Sequence, residues 1–236
     1  MLSPDIQPLV SCVICTRGRP EFLLKAIGIF NAQDYEHREL VIVHDEDDPR
    51  SLARATAEWE AVSAAYRTSR FRSIDAPAGT KLGAKTNLGI KASAGSVIHK
   101  FDDDDYYGPG FLSRAVRGLQ DSGAEVVHWG KYLVRIDGRL RVASGILAGG
   151  SLVFRRTLWE RSPFRNIPSS IDGWFLRDAG AQVYAVQDSP ELFIYVRHGN
   201  NLSQELHGAG APPVNVDERL RGLPCYDRSV AEATHA

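Results

Sequence analysis

Four consecutive carboxylates, Asp102 to Asp105, interrupt the stretch "SVIHKFDDDDYYGP" directly behind an apolar segment and ahead of two tyrosines. Adjacent carboxylates repel one another and resist burial unless a cation sits among them. An all-oxygen donor set favours a hard ion, Mg²⁺ or Mn²⁺. Ca²⁺ is a poorer match, because the spaced ligand loop of about twelve residues is missing. The plainer alternative is a solvated acidic turn that caps the next helix.

Other segments carry complementary chemistry. Arg17 and Arg19 stand in "CTRGRPEFL", Asp45 in "VIVHDEDDPR", and Lys81 and Lys85 in "GTKLGAKTNLGI". Basic side chains for phosphates, a carboxylate for a ribose or base, and a metal are what a nucleoside diphosphate ligand requires. In the second half, Asp172 is a lone acid inside "SSIDGWFL", with Trp174 two positions on. An acid there serves either as a helix-start residue favoured by the helix dipole or as a general base. Trp174 would then be placed to stack on a sugar. His198 in "YVRHGN" is a candidate metal ligand or diphosphate contact from the far side of the chain, or a structural histidine. Trp129, after "EVVH", either floors an acceptor site or fills the core.

The elements that must position these groups alternate along the chain. Strand-like runs at Leu9–Thr16, Glu39–His44, Phe71–Ile74, Val97–Phe101 and Glu125–Trp129 are separated by helix-like segments at Glu21–Gln33, Ser51–Tyr66, Leu82–Ser93 and Gly110–Gln120. That rhythm predicts an α/β fold with a mostly parallel central sheet and helices on both faces. Ligands of such sheets bind beyond the carboxyl ends of the strands, where Asp102–Asp105, Arg17, Arg19 and Asp45 all fall. After Trp129 the rhythm breaks: "YLVRIDGRLRVAS" predicts a hairpin turning at Asp137-Gly138. The helix-like "SSIDGWFLRDAG" and the strand candidates "QVYAVQD" and "LFIYVR" follow. One domain over 1–206 is expected, with a donor-binding part over about 9–130, an acceptor-side part over about 131–206, and a flexible tail or lid over 207–236.

At 236 residues, 43% of them hydrophobic, the chain can bury a sizeable core. A net charge of -1 gives no global attraction to nucleic acid or anionic membrane. With no charged-then-apolar leader and no apolar run near the roughly 20 residues of a membrane helix, a soluble, cytoplasmic protein is expected. A homodimer is compatible with all of this. Cys12 and Cys15 lie three apart on one strand and so face opposite sides, which predicts reduced core thiols rather than half a zinc site.

The ordered blocks "VICTRGRPEFLLKAI" with "AQDY", "ELVIVHDE", "LGAKTNLGIKASAG", "VIHKFDDDDYYGPGFL", "GGSLVFRRTLW", "IDGWFL" and "YVRHGNNLS" run from about Val10 to Ser203. Together they resemble glycosyltransferase family 2, enzymes of the GT-A fold. The resemblance implies transfer of a sugar from a nucleotide-sugar, commonly UDP-linked, to an acceptor hydroxyl, with Mn²⁺ or Mg²⁺ on the diphosphate. It places Thr16 and Asp45 at positions that hold the nucleoside and Lys85 in a block lining the donor site. Asp102-Asp103-Asp104 matches the DXD motif, with Asp104 the first choice for the metal and Asp105 the alternative register. Asp172 matches the catalytic base. Three positions depart from the pattern: His44 replaces an aspartate, Thr86 an arginine and Ile171 a glutamate. The first two bear on nucleotide identity, while the third leaves the base in place.

Two rival classes share part of this chemistry. A sugar-nucleotide nucleotidyltransferase would carry a Gly-rich basic loop after the first strand, of which "CTRGRP" is a poor version. A non-catalytic nucleotide-sugar or cation-binding module would keep the aspartates without needing Asp172.

Overall fold

Val10, Cys12 and Ile14 enter one hydrophobic core while Val13 and Cys15 pack into another, as only a strand covered on both faces can arrange. The computed structural model describes residues 7–48, 57, 70–136, 138–198 and 201. In chain order its strands are β1 (Val10–Cys15), β2 (Arg38–Asp45), β3 (Arg70–Ala76), β4 (Val97–Lys100), β5 (Tyr106–Tyr107) and β6 (Val126–Trp129). They continue as β7 (Lys131–Ile136), β8 (Arg139–Ser144), β9 (Val153–Arg155), β10 (Val183–Val186) and β11 (Phe193–Val196). The helices are α1 (Pro20–Asn31), α2 (Leu82–Ala92), α3 (Phe111–Ser122), α4 (Arg156–Arg161) and α5 (Ile171–Ala179). The expected helix over Ser51–Tyr66, Ala57 apart, and the tail over 207–236 lie outside the described residues.

The larger sheet has seven strands in the order β10-β6-β9-β4-β1-β2-β3. Pairings within β3-β2-β1-β4 and between β10 and β6 are parallel, whereas β9 runs antiparallel to both of its neighbours. This is the α/β architecture of the GT-A fold. The periodicity also anticipates α1, α2, α3 and α5 to within about two residues at each end, but not the six-residue α4.

The smaller sheet, ordered β5-β11-β7-β8, is a second sheet that the alternation of elements does not predict. Its β7–β8 hairpin turns beside Gly138, whose φ of 72° lies in the left-handed region that glycine tolerates. Strand β5 follows the aspartates immediately and pairs with β11, which returns from the far end of the described chain. Trp129 belongs to the core between the sheets: it is fully buried, stacks on Phe111 at 4.1 Å between centroids, and donates Nε1–H to the Ser189 carbonyl at 2.9 Å. Trp129 therefore fills the core and does not floor an acceptor site, because neither ring face reaches solvent. Cys12 and Cys15 are free thiols on opposite faces of β1, and burial pushes the Cys15 thiol up to about 11. Among the described residues no helix is long and apolar enough to cross a membrane.

Candidate active site

The carboxyl ends of β1, β2 and β4 meet at one rim. Asp45, the last residue of β2, is buried, and its Oδ1 receives the Lys85 ammonium at 2.6 Å from α2. Arg17, on the loop after β1, reaches its Oδ2 with Nε at 3.2 Å. Thr16 donates its hydroxyl to Asp103 Oδ2 at 2.7 Å, which ties the end of β1 to the aspartate turn. These expected donor-side residues therefore converge.

The four aspartates do four different things. Asp102 takes the Lys100 ammonium at 2.6 Å and keeps its side chain 35% exposed. Asp103 is buried between Thr16 and Arg19, whose Nη2 lies 2.6 Å from Oδ1. Burial and the adjacent Asp104 push the Asp103 carboxyl up, against the pull of Arg19 and Thr16. Asp104 receives Arg19 Nη1 and His198 Nε2 on the same Oδ2, each at 3.0 Å. Burial opposes ionisation there, but His198 and Arg19 outweigh it and hold the carboxyl below its usual range. Asp105 does not line the cleft: it is buried behind the turn, where Oδ1 accepts the Val196 N–H at 3.0 Å, and burial drives its carboxyl well above the usual range. That placement argues against Asp105 as a metal contact, since a carboxyl that favours its proton is a poor ligand.

A cleft of about 480 Å³ opens in front of these residues. Arg19, Lys100, Asp102–Asp104, Gly149, Gly150, Ser170 and Asp172 are among the residues that line it. Asp172 sits in the first turn of α5, with Oδ1 buried 3.7 Å from Lys100 Nζ and no hydrogen bond made on that oxygen. Burial, reinforced by Asp102 and opposed by Lys100, raises the Asp172 carboxyl to about 6. Just before it, Ser170 takes a φ of 56°, costly for a residue with a side chain and often found where a fold fixes a functional group. Trp174 does not line the cleft. Its ring lies 3.9 Å from the Arg165 guanidinium and 3.8 Å from that of Arg177, too close for both to share one face, so a sugar could stack there only by displacing an arginine.

Lys100 is the residue that sequence reasoning missed. It ends an apolar strand with its side chain 7% exposed, and Asp102 and Asp172 together raise the ammonium above its ordinary value although burial opposes charge. Its signal was a lone cation inside a buried strand. Gly149 and Gly150 open the block "GGSLVFRRTLW", and the structure shows what they make room for. A methyl group on Gly149 would overlap the Asp172 carboxylate, and one on Gly150 would come within 2.9 Å of Asp102 Oδ2.

Among the described residues no three acidic, imidazole or thiol side chains are placed to hold a metal by themselves. The donor set still fits Mn²⁺ or Mg²⁺. These ions commonly take one or two protein ligands and complete their shell with phosphate oxygens and water, and Asp104 and His198 already meet at one point near the cleft edge.

The fold and this rim define a GT-A protein, and comparison with known families agrees. The model for glycosyl transferase family 2 matches residues 11–178, most of the chain, and the chain belongs to that family. No curated protein matches it. A mannosyltransferase, PcManGT from Pyrobaculum calidifontis, solved with GDP-Man and Mn²⁺, is similar at TM-score 0.64 and 17% identity, over 82% of this chain and 58% of that one. S. aureus TarS 1-349 in complex with UDP-GlcNAc is similar at TM-score 0.59 and 16% identity, over 86% of this chain and 61% of that one. The chain thus spans about three fifths of the length of these structures.

Proposed function

We propose that the protein transfers a hexosyl group from a nucleoside-diphosphate sugar, UDP-linked by preference, to an acceptor hydroxyl with inversion at the anomeric carbon. The observation that carries this reading is Asp172, whose buried Oδ1 makes no hydrogen bond, lining the same cleft as the DXD aspartates with Lys100 between it and Asp102. The nucleotide-sugars and Mn²⁺ bound by the similar structures agree with it.

Asp45, with Lys85 and Arg17 around it, would take the nucleoside, and Arg19 and Lys100 would face the diphosphate. Asp104 and His198 would hold the Mn²⁺ or Mg²⁺. When bound, that ion supplies positive charge against the charge growing on the departing diphosphate. The acceptor hydroxyl attacks the anomeric carbon from the Asp172 side. As the new C–O bond forms, its proton passes to Asp172, while the bond to the diphosphate oxygen breaks and its electron pair leaves with the nucleotide. One displacement of this kind inverts the centre. His44 turns its ring to the Ser73 hydroxyl at 3.0 Å and its own strand at the Asp45 carbonyl, so a base-recognition role for the departing position 44 is not part of the reading.

Asp172→Asn tests it, because asparagine keeps the size and removes the basicity. Nucleotide release from a panel of UDP- and GDP-sugars with Mn²⁺ should fall about 10²–10⁴-fold while UDP affinity is unchanged. A base must be ionised to act, so wild-type turnover should fall as pH drops below about 6 and level off above it. Near-normal turnover by the Asn variant would remove Asp172 from the mechanism.

A further inference from the structure

Among the described cations that touch the aspartate turn, Arg19 differs in kind from Lys100. Lys100 is 7% exposed and wedged between Asp102 and Asp172, so it cannot leave without unpairing buried charge. The Arg19 side chain is 25% exposed, lines the cleft, and spans two carboxylates, with Nη2 on Asp103 Oδ1 at 2.6 Å and Nη1 on Asp104 Oδ2 at 3.0 Å. Both carboxylates have other support: Thr16 holds Asp103 Oδ2, and His198 shares Asp104 Oδ2. The aspartates would therefore keep their positions if the guanidinium left.

The arm that carries Arg19 is fixed where it must be and free where it must move. Gly18, with φ of 61°, turns the chain before it, and the Gly18 N–H is held by the Asp48 carboxylate. Arg19 immediately precedes α1, and its guanidinium lies over the Phe22 ring at 5.5 Å. The same ring meets His198 at 4.7 Å, so one apolar plate backs both the arginine and the imidazole that share Asp104. A swing into the cleft needs only side-chain torsions.

We propose that Arg19 is an exchangeable counter-ion: it neutralises Asp103 and Asp104 until a divalent cation takes its place, and then turns its fork to the phosphates of the donor. A guanidinium matches both carboxylate and phosphate oxygens, which lets one side chain serve in both states. The exchange makes cation and nucleotide binding mutually favourable, since the phosphates draw Arg19 off the carboxylates that the cation needs and the cation frees Arg19 for the phosphates. This inference rests on the reading of the cleft as a site for a cation and a nucleoside diphosphate.

The test is titration of Mn²⁺ by calorimetry into the wild-type protein, Arg19→Gln and Arg19→Lys, first alone and then in saturating UDP. Without nucleotide, Arg19→Gln should bind Mn²⁺ about fivefold or more tightly than wild type, and UDP should then enhance Mn²⁺ binding less than it does in wild type. Lysine can grip only one carboxylate, so Arg19→Lys should fall between the two, and it decides the matter if the glutamine variant does not fold. Equal or weaker Mn²⁺ affinity in the variants overturns the exchange while leaving the cleft's function standing. Failure of wild type and variants alike to take Mn²⁺ with UDP overturns the donor-site reading and the exchange with it.

Discussion

Crowding four carboxylates into one turn is tolerable because no two of them carry their charge in the same way. Asp102 is neutralised by Lys100, Asp103 and Asp104 share Arg19, and Asp105 is buried where the protonated form is favoured. Asp105 therefore makes a sharp prediction. Its folded carboxyl titrates well above the unfolded one, so the folded state binds the extra proton and stability falls as pH rises past the unfolded value near 4. Asp105→Asn removes that penalty and keeps an oxygen for the Val196 N–H, so its melting temperature relative to wild type should rise as pH climbs from about 4. A pH-independent difference would mean that Asp105 is ionised in the fold. At this scale the sequence places Thr16, Arg17, Arg19, Asp45 and the aspartates at the rim, because each ends or follows a strand. It could not separate four identical neighbours, since what distinguishes them is the partner each meets: Lys100 two residues away, Arg19 from another loop, and Val196 from another sheet.

Helix α2 owes its position to Gly89, which lies against β1 and β2. A Cβ at that position would overlap Val13 Cγ1 and approach Val43 Cγ2 to 2.9 Å. Close contact there brings Lys85, one turn earlier on the same helix, to Asp45. Gly89→Ala should push the helix outward, lower stability by about 1–3 kcal/mol and weaken UDP binding. Gly173→Ala, whose Cβ would meet open space, is the stability control, and chemical denaturation compares the two. Elements built on local pattern were legible: β1, β2, β4 and the helices between them follow from apolar period and from Pro20 at the start of α1. Strand β9 was not, because "VFR" is three residues long and its antiparallel place between β4 and β6 is decided by pairing rather than by pattern. The two-residue β5 left no periodicity to read at all.

At the scale of the whole molecule, the smaller sheet reaches the larger one through aromatic packing: Phe193 of β11 meets Phe111 of α3, which stacks on Trp129 of β6. The Phe193 ring lies 5.5 Å from Tyr107, 6.3 Å from Phe111 and 5.7 Å from Tyr132, which come from three other elements. Phe193→Ala should cost about 3–5 kcal/mol, seen as a fall in the denaturation midpoint, and an unchanged midpoint would show that the sheets hold together by other contacts. The strand that carries Phe193 also delivers Val196 to Asp105 and leads to His198 at Asp104. Asp104 and His198 are 94 residues apart, and a ribosome adding roughly 5–20 residues per second needs about 5–20 s to make that interval. Through that time the emerging aspartate turn has Arg19 and Lys100, both made earlier, but neither the imidazole nor the strand that covers it. The order of synthesis therefore gives the nascent chain its own cations first, and the partner that completes the Asp104 pair arrives last.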